Sequence, residues 1–391
     1  MIARPGYSRA LRVVAAPDSF KGSLTAQAAA AAMVAGARRA LGPTAVISAV
    51  PMADGGEGTL EVLIDAWQGR VRHVDVTDAL GRVRPARFGL SADGTVSVVE
   101  AAEANGLPHV RDVPLRPLDA DSAGVGELAL AALDAGAREI LLCIGGSATT
   151  DGGAGLLRAL GARLLDHAGR QVAPGGRGLR DIVRIDLAHL HPAARLARWR
   201  VAVDVDNPLT GERGAAAVFG PQKGARPQDV LTLDAGLAHL AHALADATRA
   251  RVDDLVHRPG MGAAGGLPIA LTSVLGAEIV AGSRLVADAV GLEAALADAD
   301  LVLTGEGSLD SQSLHGKVID GVRGCAPERA AVAVIAGRVA LTATEVAAAG
   351  LTAAVSIALG PAAEERLRRD AAYLVAEASE SVCRLLGHRP A

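Results

Sequence analysis

Three lysines stand in a chain that otherwise uses arginine for every basic position: Lys21 in SFKGS, Lys223 in PQKGA and Lys317 in HGKVI, against 36 arginines. Each has a glycine neighbour. A lysine ammonium is a compact charge on a flexible stem and suits a point contact with phosphate, for which the planar fork of arginine is no replacement. Chance clustering of a rare residue is the competing account, but all three lysines fall in turns that also carry acids or glycines. Asp18, Ser19 and Gly22 surround Lys21, and Asp54, Gly55, Gly56 and Glu57 form MADGGEGT. Asp204, Asp206 and Asn207 open DVDNPLTG, shortly before Lys223. Glu306, Asp310 and Gln312 lie in TGEGSLDSQ, ahead of His315 and Lys317.

The acids admit more than one use. Asp54 and Glu57 at a helix start complement the helix dipole, which alone accounts for them; metal or substrate-hydroxyl contact is the alternative. Asp204 and Asp206 are two apart, so in extended chain they face one side. With the carbonyl of Asn207 they make a set of hard oxygens that suits Mg²⁺, which takes one or two carboxylates beside phosphate oxygens. Asx-turn chemistry explains Asn207-Pro208 but not both acids. One of the pair can hold the metal while the other, Asp204 foremost, accepts a hydroxyl proton.

The backbone around these residues has a recurring form. The stretch LLCIGGSATTDGGAG (141–155) passes from a short apolar strand into Gly145, Gly146, Ser147, Thr149, Thr150 and Asp151, then into an apolar helix at 154–160. Strand, glycine turn and helix are the parts of an anion cradle: glycine lets N–H groups approach an oxyanion, and the helix start adds unpaired donors. A tight packing turn is the plainer reading. Gly265 and Gly266, in MGAAGGLP, allow the same two readings.

Composition narrows the classes. Hydrophobic residues are 50%, charged residues 21%, aromatics 2% and the net charge is −4. That balance is globular. Few aromatics argue against base stacking, and the negative charge against a nucleic-acid footprint. Cys143, Cys325 and Cys383 give neither a disulfide framework nor zinc spacing. No stretch has the length of a membrane span, and the N-terminus lacks the form of a signal peptide, so a cytoplasmic protein, monomer or homodimer, without nucleic-acid or membrane partner is expected.

The elements that must position these residues follow a βα rhythm. Strands are expected at 12–16 and 45–50, each leaving through a polar glycine turn into a helix. Residues 71–100 alternate with period two, as antiparallel hairpins do. Helices are expected at 122–133 and 228–250, and strands at 140–144 and 200–205. From about 283 the βα alternation resumes, with strands at 299–304, 331–336 and 353–359 and a closing helix at 362–386. The fold class is α/β with two domains. Residues 1–75 and 285–391 share a Rossmann-like parallel sheet, and 76–284 form an inserted mixed α/β domain. The glycine-rich edges of both are expected to face one cleft holding the active site.

Phosphoryl transfer needs phosphates held, Mg²⁺ placed, charge neutralised and a base for the acceptor hydroxyl. The inventory supplies those parts without the Walker motif or the protein-kinase signatures. The stretches APDSFKGSLTA (16–26), PMADGGEGT (51–59), GGSATTDGGAG (145–155), DVDNPLTG (204–211), AVFGPQKGA (217–225), GAAGGL (262–267) and TGEGSLDSQSLHGK (304–317) together resemble the bacterial glycerate kinase family, in the family's order and over nearly the whole chain. The resemblance implies an ATP- and Mg²⁺-dependent kinase that phosphorylates glycerate at the 2-hydroxyl; a kinase of another small hydroxy acid or polyol is the runner-up. Family members commonly carry arginine at the position of Ser308 and asparagine at that of Thr150. Expected roles are catalysis for Asp204, Lys21, Lys317 and Asp18, Mg²⁺ ligation for Asp204 and Asp206, and contact with substrate or phosphate for the remaining motif residues named above.

Overall fold

A computed structural model describes residues 9–314, 317–358, 360 and 363–386. His315 and Gly316 of the LHGK motif, and the expected helix start at 362, lie outside the described residues. Two compact units emerge: Met1–Asp54 with Ser283–Ala391, and Gly55–Gly282. In chain order the strands are β1 (Arg12–Ala15), β2 (Val46–Ala49), β3 (Arg70–Thr77), β4 (Val83–Leu90), β5 (Val96–Glu100), β6 (Glu139–Cys143) and β7 (Arg163–Leu165). They continue with β8 (Arg184–Asp186), β9 (Arg198–Ala202), β10 (Glu278–Val280), β11 (Leu301–Leu309), β12 (Ala331–Val339) and β13 (Ala353–Ser356).

In the first unit, β13-β12-β11-β1-β2 form a wholly parallel sheet. The chain starts at β1, steps to β2 on one side, and returns to β11 on the other. The exits of β1 and β11 therefore flank the switch point, where open α/β sheets bind ligands. Nine of the sixteen residues of the helix Ala26–Leu41 are alanine, the residue with the highest helix propensity. Thr25 caps it by accepting from Ala28 N (3.2 Å). It packs on the helix Ala371–Leu386, and the approach is close because Gly36 faces Ala376 and Ser379: a Cβ at 36 would lie 2.8 Å from Ser379 Cβ. The expected closing helix is two helices, Glu364–Arg369 and Ala371–Leu386. EERLRR buries no residue, so the apolar stripe that anchors the second helix begins only after Asp370.

In the second unit the sheet order is β10-β9-β6-β5-β4-β3. β10, β9, β6 and β5 are parallel, while β4 and β3 extend the sheet antiparallel. The division falls at 54/55 rather than at 75. β3 pairs with β4 along its whole length, from Arg70↔Leu90 to Thr77↔Val83, and the helix Thr59–Ala66 packs on β4 and β5. These pairings fix residues 55–75 to the second sheet, whatever their resemblance to a βα repeat of the first. The short strands β7, β8 and β10 were not legible as strands. A large apolar core built around Trp199, Ile140, Leu142, Leu156 and Leu240 holds this unit, with a smaller cluster of Ala79, Val110, Ala120 and Ala148 beside it.

Candidate active site

In the first unit the carboxyl edge of the sheet collects the acids and cations of three distant motifs. Ala16 N donates to Leu303 O (2.7 Å), Thr304 Oγ1 to Ala16 O (2.8 Å) and Asp18 N to Gly305 O (2.8 Å), so the β1 exit is zipped to β11. Met52 N donates to Pro17 O (2.9 Å), which brings Asp54 to the same edge. Gly307 lies beside the Lys21 backbone; a Cβ there would stand 3.5 Å from Lys21 N. The result is an acid cluster with cations near it. Burial, and then the nearby Asp54 carboxylate, push the Asp18 carboxyl up to about 7, against the lowering pull of the Ser19 N–H, which donates to Asp18 Oδ1 (2.6 Å). The Glu306 carboxyl is raised as well, by burial first; Ser313 and the Lys317 ammonium pull it back, and Asp310 and Asp54 push it further up. Glu306 Oε1 is buried without a hydrogen-bond partner among the described residues. A carboxyl that titrates near neutrality, as Asp18 does, is suited to accept a hydroxyl proton at working pH.

The second unit holds the glycine loop. β6 ends at Cys143, and Gly145 and Gly146 emerge exposed at the carboxyl edge, while residues 147–151 turn back into the core. The turn after Asp54 sits against this edge. A Cβ on Gly145 would be 3.5 Å from Gly56 Cα, and one on Gly55 would be 2.7 Å from Ala202 Cβ and 2.8 Å from Gly282 Cα. The exposed Gly145 and Gly146, with half-buried Gly56 beside them, thus form a glycine-surfaced patch at the end of β6 where an anion can approach main-chain N–H groups, while buried Gly55 packs on the ends of β9 and β10.

Much of the rest of the loop faces inward. The buried Asp151 carboxylate accepts from Ser122 N (2.9 Å), Ser122 Oγ (2.8 Å), Gly155 N (3.1 Å) and Gly153 N (3.2 Å). It is a fastener for the turn and not a surface ligand, and burial, then neighbouring Asp121, raise its carboxyl. Lys223 is also turned away from solvent. Its Nζ reaches under the loop to Thr149 O (2.6 Å) and Ser147 Oγ (3.3 Å), and burial lowers the ammonium to about 8, with Asp151 opposing. Thr149 Oγ1 accepts from the buried Asn105 Nδ2 (3.1 Å). Gly265 and Gly266 serve packing: Gly152 N donates to Gly265 O (3.0 Å), and a Cβ on Gly265 would lie 2.6 Å from Thr150 Cα. Ser147, Thr149, Asp151, Lys223, Gly265 and Gly266, expected at the ligand, are all buried, whereas Gly145 and Gly146 are exposed.

The Asp204–Asp206 pair divides. Asp204 Oδ1 accepts from Gly282 N (2.7 Å), while Asp206 pairs with Arg213 (3.0 Å) at an exposed position. Asn207 Nδ2 donates to Arg213 O (2.8 Å), so its amide braces its own loop. Among the described residues no three His, Cys, Asp or Glu side chains are grouped to hold a metal. Two exposed carboxylates at a strand end still match the chemistry of Mg²⁺ carried largely by phosphate oxygens, and an exposed ion pair such as Asp206–Arg213 is weak enough to exchange. Glu57 is exposed at the start of the helix Thr59–Ala66.

One acid escaped the sequence reading. Glu100 ends β5, is buried, accepts from Leu60 N (2.8 Å) at the start of the helix Thr59–Ala66, and is raised to about 7 by burial. Its signal was its position at the end of a strand, the same that marked Asp18 and Asp204.

The model described as the glycerate kinase family matches residues 13–387. The glycerate 2-kinase of Escherichia coli (strain K12) is 46% identical over 312 residues, covering 80% of this chain and 81% of the relative. The glycerate kinase of Bacillus cereus (strain ATCC 10987 / NRS 248) is 40% identical over 372 residues, 94% of each chain. A crystal structure from Salmonella typhimurium LT2, described as glycerate kinase 2, superposes with a TM-score of 0.87 at 44% identity, covering 97% of this chain and 99% of that one. No helix among the described residues is long and apolar enough to cross a membrane. On the strength of a match along almost its entire length, the chain belongs to the glycerate kinase family and is a kinase.

Proposed function

We propose that the protein is a cytoplasmic kinase that transfers the terminal phosphoryl group of ATP to the 2-hydroxyl of D-glycerate, giving 2-phosphoglycerate. The observation that carries the reading is the first unit's edge cluster, where a carboxyl raised to about 7, Asp18, lies among the residues that also place Lys21 and Lys317. In this reaction Asp18 accepts the proton of the attacking hydroxyl. Lys21 and Lys317 neutralise the charge that gathers on the transferring group and on the glycerate carboxylate. The exposed main chain of Gly145 and Gly146 holds an anionic group, and Asp204 with Asp206 would hold Mg²⁺. The metal, when bound, supplies charge neutralisation at the phosphate oxygens.

Regiochemistry and class are tested together by following ATP, Mg²⁺ and D-glycerate with the purified protein by phosphorus NMR. A phosphate monoester coupled to a single carbon-bound proton, with matching ADP, is expected. A product coupled to a methylene pair would place the phosphate on the 3-hydroxyl. Weak turnover of glycerate beside strong turnover of another hydroxy acid or polyol would overturn the substrate assignment.

A further inference from the structure

The second unit contains a half-open cavity of about 550 Å³ whose walls come from residues 77–81, 116–127, 158–159 and 173–177. None of these segments carries a glycine-loop, lysine or strand-end motif of the candidate active site. The volume lies within the range of about 300–1,000 Å³ common for small-molecule sites.

The hydrogen bonding of the lining decides what it can take. Its carboxylates already serve protein donors. Glu127 accepts from Thr77 N (2.7 Å) and Thr77 Oγ1 (3.0 Å), and Asp78 accepts from Leu80 N (2.8 Å), Arg82 N (2.9 Å) and Arg82 Nε (2.6 Å). Asp121 accepts from Ala123 N (2.8 Å), Gly175 N (2.9 Å) and Arg158 Nη2 (2.9 Å), while Asp119 pairs with Arg177 (2.8 Å). The arginines are left with donors to spare. Arg158 offers one nitrogen to Asp121, Arg177 offers one edge to Asp119, and Arg116 has no acidic partner among the described residues. Guanidinium groups present several N–H donors and no acceptor, in a fork that matches carboxylate and phosphate.

We propose that this cavity is a second ligand site, separate from the phosphoryl-transfer site, that binds a compact anion bearing a phosphate or paired carboxylates through Arg116, Arg158 and Arg177. The site is linked to the glycine loop through one residue: Asp121 in its lining is followed by Ser122, whose N–H and hydroxyl hold Asp151. An anion seated against Arg158 and Arg177 braces the segment that fastens the loop.

The test uses the full chain and two probes, inorganic phosphate and malonate, with hydrogen exchange read by mass spectrometry segment by segment. Slower exchange over residues 116–121 and 173–177 is expected with at least one probe, and the stronger of the two identifies phosphate or carboxylate as the natural class. Phosphate held at the active site slows other segments and is not confused with this one. Arg116→Ala is expected to weaken the protection by about tenfold or more, as loss of a charge-assisted pair does, with Arg116→Lys intermediate and phosphoryl transfer without added anion unchanged. Protection absent from both segments with both probes, or protection that survives Arg116→Ala at full strength, would overturn the site.

Discussion

Lys223→Met separates a structural lysine from a phosphate-binding one. Burial lowers the ammonium from an ordinary 10.5 to about 8. That gap corresponds to about 3 kcal/mol, at roughly 1.4 kcal/mol for each pH unit. The sign follows from proton uptake. Below about pH 8 the lysine is charged in both folded and unfolded chains, and its burial opposes folding by the full amount. Between about 8 and 10.5 the unfolded chain holds the proton that the folded one has released, so stability rises with pH. Methionine has no such dependence. At neutral pH the relief of about 3 kcal/mol is offset by the lost bonds to Thr149 O and Ser147 Oγ, worth roughly 1–3 kcal/mol each, so the variant should be within about 2 kcal/mol of the parent. Both tryptophans of the chain, Trp67 and Trp199, lie in the second unit, so their fluorescence reports the unfolding of the unit that holds Lys223. Urea unfolding of the two proteins from about pH 7 to 10.5 should show the parent gaining on the variant by about 3 kcal/mol, all of it above about pH 8. Meanwhile kcat/KM of the variant should drop by about tenfold or more, because the carbonyl of Thr149 is no longer held. A stability difference that stays flat with pH would refute the buried, charged lysine.

Two further outcomes follow from the geometry. Asp18→Asn should reduce kcat by about a hundredfold or more, and the parent's rate, rising through about pH 7 as the Asp18 carboxyl loses its proton, should lose that limb in the variant; a variant with the same pH profile would remove Asp18 as the base. Gly265→Ala places a Cβ against Thr149 O at a backbone φ of +73°, and the left-handed strain with the clash should lower the unfolding free energy of the second unit by roughly 3 kcal/mol, read as a shift in the urea midpoint of tryptophan fluorescence.

How much of this could be read from the chain alone differs between backbone and side chains. Glycine turns after apolar strands were legible because main-chain geometry is dictated locally: GGSATTDGGAG leaves β6 and enters a helix where the residue types require it. The parallel sheet of the first unit was legible for the same reason. The boundary at 54/55 was not, because the assignment of 55–75 depends on β3 finding β4 as its antiparallel partner.

The sequence by itself determined the residue types, the strand–turn–helix order and, through seven motifs, the family. The tertiary structure alone decided which way the chemistry faces. Lys223 and Ser147 are 76 positions apart, and nothing near either one reveals that the ammonium passes beneath the loop. Asp151 reads like a ligand in its own motif and becomes a fastener only when Ser122, from another segment, supplies two donors. The carboxyl of Asp18 is raised by burial first, and then by Asp54 and Glu306 at the same sheet edge. Local sequence sets φ and ψ; the burial and partners of a charged group are set by segments far along the chain, and those fix whether it meets solvent, a ligand or the core.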